Sequence, residues 1–349
     1  MAEGQPVDPA IVDLDALAGW MDDHDLGSGP LESVEALAGG TQNLLLRFVR
    51  DDRPYILRRP PEHKRQNSDE TMRREARVLA ALADTEVPHP RLIAAEGDLE
   101  VLGAAFYLME PVEGFQATTG LPPLHGSDPA VRRSMGLSFV DAVLALHAVD
   151  PATKDLDGFG KPDGYLERQV PRWQAQLESY RELDGYPGPD LPHLADIQAF
   201  LERNRPEPSP TGIIHGDYHL ANVMFRPDRG EIAAIVDWEL ATQGDPLIDL
   251  GLIVAFWPDA GGEVGMMSVQ PWDGFPAIEE LIAHYDERSP RSIDALDWYA
   301  VLACYKTGII LEGTHARAFA GKASKEFGDL LHATTVGLFE KAGRIIARS

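Results

Sequence analysis

The chain has 349 residues, with 31 Lys and Arg against 56 Asp and Glu, and a formal net charge of −25 at pH 7. An acidic excess of that size argues against a general nucleic-acid binder, which needs clustered cations along phosphate backbones, and against docking on anionic membranes. Hydrophobic residues at 44% and charged residues at 25% fit a folded chain rather than a disordered one, and the length points to two lobes.

Read in chain order, residues 1–110 predict a small mixed α/β unit. A helix is expected over Val12–His24, followed by strands at Leu31–Leu37 and Leu44–Val49 joined by Ala38-Gly39-Gly40-Thr41-Gln42-Asn43. Asp51-Asp52-Arg53-Pro54 reads as a turn into a third strand, Tyr55–Arg58, which Pro60-Pro61 ends. A helix over Asp69–Ala83 carries Met72, Ala76, Leu79 and Leu82 at helical spacing, and strands follow at Arg91–Ala95 and Phe106–Glu110.

Beyond Gly114 long helices take over. Asp128-Pro129 is an N-cap and first-turn pair for a helix running to His147, with Met135, Phe139, Val143 and Leu146 as its apolar stripe. Helices are expected at Leu166–Leu183 and His193–Arg203, then a β-rich interlude with Ile213-Ile214, Val223–Phe225 and Ile232–Val236. Further helices are expected at Pro246–Phe256, Ala277–Glu287, Asp294–Glu312 and Lys325–Ala347, with a loop rich in Gly, Pro and Asp between Trp257 and Pro276. Cys304 is the only cysteine, so no intramolecular disulfide and no Cys-cluster zinc site can form. The N-terminus lacks the basic start and apolar run of a signal peptide, and no stretch reaches the ~20 apolar residues of a membrane span, so a cytoplasmic location is expected.

The interlude holds the most informative pattern. His215-Gly216-Asp217 is followed by Asn222, and Asp237 ends the apolar run Ile235-Val236-Asp237. Phosphoryl transfer needs a carboxylate near the attacking hydroxyl and oxygen ligands that hold Mg²⁺ against nucleotide phosphates. Protein kinases supply these as an Asp, an Asn five positions later and a further Asp after a hairpin. Asp217, Asn222 and Asp237 reproduce that order.

At these residues, and at Gly244-Asp245-Pro246 with Asp249-Leu250, the chain resembles the aminoglycoside phosphotransferase family of kinase-like small-molecule phosphotransferases. Tyr55-Ile56-Leu57-Arg58-Arg59-Pro60-Pro61 and Tyr107-Leu108-Met109-Glu110 point to the branch that occurs alone in bacteria or fused to acyl-CoA dehydrogenases. The resemblance implies an α+β, two-lobed kinase-like fold, with a small antiparallel N-lobe over 1–110 and a larger helical C-lobe over 111–349. It implies Asp217 as catalytic base, Asn222 and Asp237 as Mg²⁺ ligands, and His215, Asp245 and Asp249 as structural supports of the catalytic loop. The co-substrate would be ATP or GTP. The acceptor would be a hydroxyl-bearing small molecule: an aminoglycoside, a choline-like amine, an amino-alcohol, a sugar or a hydroxyacyl-CoA thioester.

On that reading Gly39, Gly40, Thr41, Gln42 and Asn43 form the loop over the phosphates, although a Gly pair in a hairpin is equally a plain turn. Ile56 and Arg58 share one face of the third strand by the period-2 rule, which puts Arg58 where many relatives carry a phosphate-binding Lys. The two cations differ in geometry and hydration. Glu75 falls where its partner carboxylate belongs, and Glu110 and Val112 flank Pro111 in a segment whose backbone would meet the base. His147 reads as a core histidine, Trp238 as interior packing and Cys304 as an inert thiol. Two other readings stay open. His215, Asp217 and His219 in H-x-D-x-H order could serve a metal-dependent hydrolase, and Arg58 in place of Lys could mark a catalytically impaired nucleotide-binding module. The acidic Asp155, Asp157, Asp163, Glu167, Glu178, Asp259 and Glu263 would suit a cationic acceptor, and Lys161, Arg168, Arg172 and Lys306 an anionic one.

Overall fold

The structure, a computed structural model, describes residues 5–6, 12–37, 43–64, 66–207, 209–258, 263–264 and 267–349. Its N-terminal part is built on β1 (Gln5–Pro6), α1 (Leu14–Asp23), β2 (Glu32–Ala36), β3 (Leu44–Arg50), β4 (Arg53–Arg59), α2 (Ser68–Leu82), β5 (Leu92–Glu96) and β6 (Phe106–Met109). The strands form one antiparallel sheet in the order β1-β2-β3-β4-β6-β5. Strand alternation divides its two faces. Leu46, Phe48, Tyr55, Leu57, Phe106 and Leu108 pack with Leu17, Trp20 and Met21 of α1, while Ile56, Arg58 and Tyr107 fall on the opposite face. Asp13 caps α1, accepting from the Ala16 amide at 2.9 Å.

The larger part comprises α3 (Pro123–Ser127), α4 (Pro129–His147), α5 (Gln169–Ser179), α6 (Leu194–Arg203), β7 (Gly212–Ile214), β8 (Val223–Phe225), β9 (Ile232–Ile235), β10 (Thr242–Gly244), α7 (Leu247–Phe256), β11 (Glu263–Val264), β12 (Met267–Ser268), α8 (Ile278–Asp286), α9 (Leu296–Phe319) and α10 (Lys325–Arg348). Asp128 caps α4 as its sequence predicts, accepting from the Ala130 amide at 2.8 Å ahead of Pro129. β7 pairs with β10, and β8 with β9. α7 is apolar all round and buried along most of its length, the pattern of a helix at the centre of a core. It lies against α9, where Gly251 is required: a Cβ there would sit 2.5 Å from the Tyr299 carbonyl oxygen.

Several features depart from the sequence reading, among them β1 and α3, which it did not include, and α5, which is shorter than the helix expected over Leu166–Leu183. β10 was not foreseen, because Thr242-Gln243-Gly244 carries no apolar alternation. The loop expected between Trp257 and Pro276 contains the β11–β12 pair. The helix expected to end at Glu312 runs on to Phe319. No helix among the described residues is long and apolar enough to cross a membrane.

Candidate active site between the lobes

β7 delivers His215-Gly216-Asp217 to the interlobe face, and its pairing with β10 (Ile214 opposite Thr242) fixes where that loop begins. Gly216 has φ +84°, and a Cβ on it would lie 2.7 Å from the Leu240 carbonyl oxygen, so only glycine fits. Asp249, fully buried on α7, accepts from the amide of His215 through Oδ2 (2.7 Å) and from that of Gly216 through Oδ1 (2.8 Å). The loop is therefore pinned by two charge-assisted hydrogen bonds. Asp245 sits one step back: it accepts from the Ser209 and Leu247 amides and the Tyr299 hydroxyl, bracing the chain around β7 rather than the loop itself.

His215 is buried, and both ring nitrogens are engaged. Nε2 donates to the Val236 carbonyl (3.0 Å), and Nδ1 accepts from the Asp217 amide (3.3 Å). That pairing assigns the neutral tautomer, and burial, opposed by nearby carboxylates, holds its pKa below the usual imidazole value. Trp238 is interior, edge-on to His215 at 4.9 Å, with Nε1 donating to the Ile235 carbonyl.

Asp217 Oδ2 accepts from Asn222 Nδ2 at 2.9 Å and lies 3.3 Å from His219 Nε2. His219 Nδ1 accepts from the Ala221 amide, which leaves its Nε2 proton facing Asp217. Burial raises the Asp217 pKa, but the His219 hydrogen bond, the neighbouring imidazoles and the Lys306 ammonium outweigh it and hold the carboxyl at about 2. Lys306, on α9, donates to the Gly216 carbonyl at 2.9 Å. Asn222 also donates to the Asp217 backbone carbonyl, and its own carbonyl accepts from the Val236 amide at 2.9 Å. The catalytic loop is thus tied to the residue preceding Asp237. Asp237 itself is left-handed at φ 63°, ψ 67°, a conformation rare outside glycine that Asp tolerates.

Arg58 connects the two lobes here. Its Nε lies 3.0 Å from Glu75 Oε2, and Nη2 donates to Glu75 Oε1 (3.3 Å) and to Asp237 Oδ1 (3.0 Å). Tyr107 donates to Glu75 Oε2 at 2.8 Å. Burial pushes the Glu75 carboxyl up to about 7 against the pull of Arg58 and Tyr107. The guanidinium stays charged because Glu75, Tyr107 and Asp237 outweigh its own burial. Glu239 brings a third carboxylate: oxygens of Glu75, Asp237 and Glu239 lie within 4.8 Å of one another. At the far edge the Glu110 amide donates to the Arg91 carbonyl and its side chain pairs with Arg53 at 3.2 Å, while the Val112 amide donates to no group among the described residues. Gly39, Gly40, Thr41 and Gln42 lie outside the described residues, and Asn43 directly precedes β3.

The carboxylates of Glu75, Asp237 and Glu239 offer a hard, all-oxygen donor set, which suits Mg²⁺ rather than a thiophilic metal. Sequence reasoning missed the Tyr107 hydrogen bond, the Lys306 contact with the loop and the approach of Glu239. Each joins residues more than 30 positions apart or uses a residue type with no motif of its own. On the other side of the catalytic loop a cleft of about 870 Å³ opens, lined in part by Gly216, Leu240, Thr242, Trp173 and Lys306.

The chain matches the phosphotransferase enzyme family over residues 33–285. It is 30% identical over 302 residues to acyl-CoA dehydrogenase family member 11 of Gallus gallus, covering 84% of this chain and 38% of that relative's own length. A crystal structure of a Ralstonia eutropha protein named for the aminoglycoside phosphotransferases superposes with TM-score 0.77 at 29% identity, covering 95% of this chain and 99% of that one. A thermostable mutant of APH(4)-Ia, solved with AMP-PNP and hygromycin B, shares the fold at 15% identity and TM-score 0.54 over 92% of this chain and 99% of its own. The sheet-based small lobe, the mainly helical large lobe and this match over most of the chain place it in the phosphotransferase enzyme family, with the two-lobed fold of the aminoglycoside phosphotransferases.

Proposed function

We propose that the protein transfers the γ-phosphoryl group of ATP or GTP directly to a hydroxyl of a small molecule, with Asp217 as the base. The observation that carries this reading is one connected set of groups across the lobe interface. It runs from His219 and Asp217 through Asn222 to Val236 and Asp237, and on through Arg58 to Glu75. The lobes divide on this reading into 1–110, which carries the sheet over the nucleotide, and 111–349, which carries the loop and the acceptor side.

Each residue then has a task set by its surroundings. The Asp217 carboxylate, 41% exposed and ionised across the working pH range, orients the acceptor hydroxyl and takes its proton as the oxygen attacks. Asn222 and Asp237 hold Mg²⁺, with Glu239 within reach. Bound there, the ion neutralises developing charge on the phosphates. Arg58, fixed between Glu75 and Asp237, meets the phosphates, as does the Gly39–Asn43 segment. The Glu110 carbonyl and Val112 amide receive the base. His215 and Asp249 keep the loop in shape, and Asp245 braces the chain around β7 behind it.

The hydrolase alternative fits less well, because both nitrogens of His215 are already committed to backbone partners and the ring is buried. An impaired nucleotide-binding module would have no use for Asp217 aligned with Asn222 at 2.9 Å. The test is a coupled ADP-release assay over a panel of hydroxyl compounds with ATP and Mg²⁺. Acceptor-dependent turnover that EDTA abolishes supports the proposal. Tightly bound zinc together with no nucleotide binding would instead support hydrolysis.

A further inference from the structure

The cleft beside the catalytic loop has a charge opposite to that of the molecule. Five cations line it, Arg74, Lys161, Arg168, Arg172 and Lys306, against two acids, Glu167 and Glu239, although acids outnumber cations 56 to 31 in the whole chain. None of the five lies within 4 Å of a carboxylate oxygen among the described residues. Arg74 donates to the Ala241 carbonyl and stacks on Phe159, Arg168 donates to the carbonyls of Lys161 and Asp163, and Arg172 covers the Trp173 ring. Lys306 donates to the Gly216 carbonyl. Lys306 is also drawn to the Asp217 and Asp249 carboxylates, whereas backbone carbonyls and rings orient Arg74, Arg168 and Arg172 without neutralising them, so their field is left to act on whatever enters. Of the acids expected nearby Glu167 lines the cleft, while Asp155 lies 3.8 Å from Arg77 and Glu178 2.9 Å from Arg181, and neither of these two lines it.

The cleft is also graded. Lys306 and Gly216 sit at the inner end, next to Asp217, while Lys161, Arg168 and Arg172 are exposed on the segment leading into α5 and on α5 itself. Between them Leu240 and Ile310 are 45% and 41% exposed, two of the most exposed large apolar side chains described. Arg58, Glu75, Glu110, Val112, Asn222 and Asp237 are absent from the lining, while Glu239 belongs both to it and to the carboxylate cluster with Glu75 and Asp237, so this space adjoins the proposed nucleotide side. Asp217 is not itself in the lining, but its neighbour Gly216 and Lys306, which donates to the Gly216 carbonyl, are, so on the phosphotransferase reading this cleft is an approach to Asp217.

Resting on the phosphotransferase reading, we infer that the acceptor is a multiply anionic hydroxyl compound whose phosphate-bearing end is held by Lys161, Arg168 and Arg172 and whose apolar stem crosses Leu240 and Ile310. Arginine and lysine in an open cleft suit phosphate oxygens. An oligocationic sugar amine would meet the like charges of Lys161, Arg168 and Arg172 at the mouth of the cleft.

The experiment loads the full-length protein with AMP-PNP and Mg²⁺ and titrates, by calorimetry, fructose 1,6-bisphosphate, fructose and spermine. These probes carry separated phosphates, no charge and cations respectively. The bisphosphate should bind, its affinity falling as salt rises, and the Lys161→Gln/Arg172→Gln variant should weaken it at least ten-fold. Both side chains are exposed, so the variant should fold, and its melting temperature checks this. No bisphosphate binding, unchanged binding in the variant, or tighter binding of spermine overturns the inference. The phosphotransferase reading fails separately, if AMP-PNP with Mg²⁺ does not bind. In that event bisphosphate binding to unloaded protein, lost in the variant, still locates the anion site.

Discussion

At the scale of single residues, the site depends on a carboxylate that never meets a substrate. Asp249 uses both oxygens on successive amides of the loop, and its Oδ2 lies 3.5 Å from the buried ring of His147. Asp249→Asn keeps the shape but turns one acceptor into a donor facing an N–H. The buried amide left unpaired should cost about 1–3 kcal/mol, read as a lowered urea midpoint with unchanged slope. A midpoint equal to wild type would mean the loop has another anchor. Cys304 gives a second residue-scale prediction. Burial pushes its thiol up to about 12, so at pH 8 the native protein should leave a thiol-reactive disulfide reagent unconsumed, while unfolded protein should consume one equivalent. Rapid native labelling would show that α9 opens locally. The proposed set of Asp217, Asn222 and Asp237 was legible in the sequence because phosphoryl transfer would fix their order over a short span. Asp249 was named as a support of the loop only through the family resemblance, because its contact lies 33 positions from Gly216 and its amide targets leave no trace in side-chain identity.

At the scale of elements, the glycines separate packing from propensity. Gly251 on α7 and Gly313 on α9 each face an obstacle 2.5 Å from a built Cβ, the Tyr299 carbonyl and the Tyr180 hydroxyl respectively. Gly337 on α10 has nothing within 4 Å. Gly251→Ala should destabilise by about 1–3 kcal/mol through overpacking. Gly337→Ala should stabilise by about 0.5–1 kcal/mol through helix propensity alone. Thermal melts of the two variants with opposite signs would bear this out, and equal shifts would not. The same glycine explains why α9 outran its expected end. Gly313 looks like a stop in sequence, yet it admits the Tyr180 ring, whose hydroxyl donates to the Ile309 carbonyl inside the helix. The long amphipathic helices and the β2–β4 meander were readable from periodicity. β10 was not, since only its pairing with β7 makes it a strand.

At the scale of the molecule, the apolar core ignores the division at residue 110. Met72, Leu79 and Leu82 of α2 belong to the same buried cluster as Phe139 and Val143 of α4 and Ile235 beside the site. The sheet and α1 hold a second cluster. With α2 packed across the interface, calorimetric unfolding should be one transition, and two resolved transitions would contradict that continuity. The net charge of −25 takes on a local meaning as well. On the proposed function a chain of this charge holds an anionic nucleotide beside a cleft with five cations, so those cations work against the background field rather than with it.

The central claim is direct phosphoryl transfer with Asp217 as base. Its most direct test follows the labelled γ-phosphate of ATP, with Mg²⁺ and a turned-over acceptor, in wild type and in Asp217→Asn. The label should appear on the acceptor at a rate about 10²–10⁴-fold lower in the variant, with the KM for ATP little changed. Full transfer by Asp217→Asn, or label released only as inorganic phosphate by the wild type, would contradict the account.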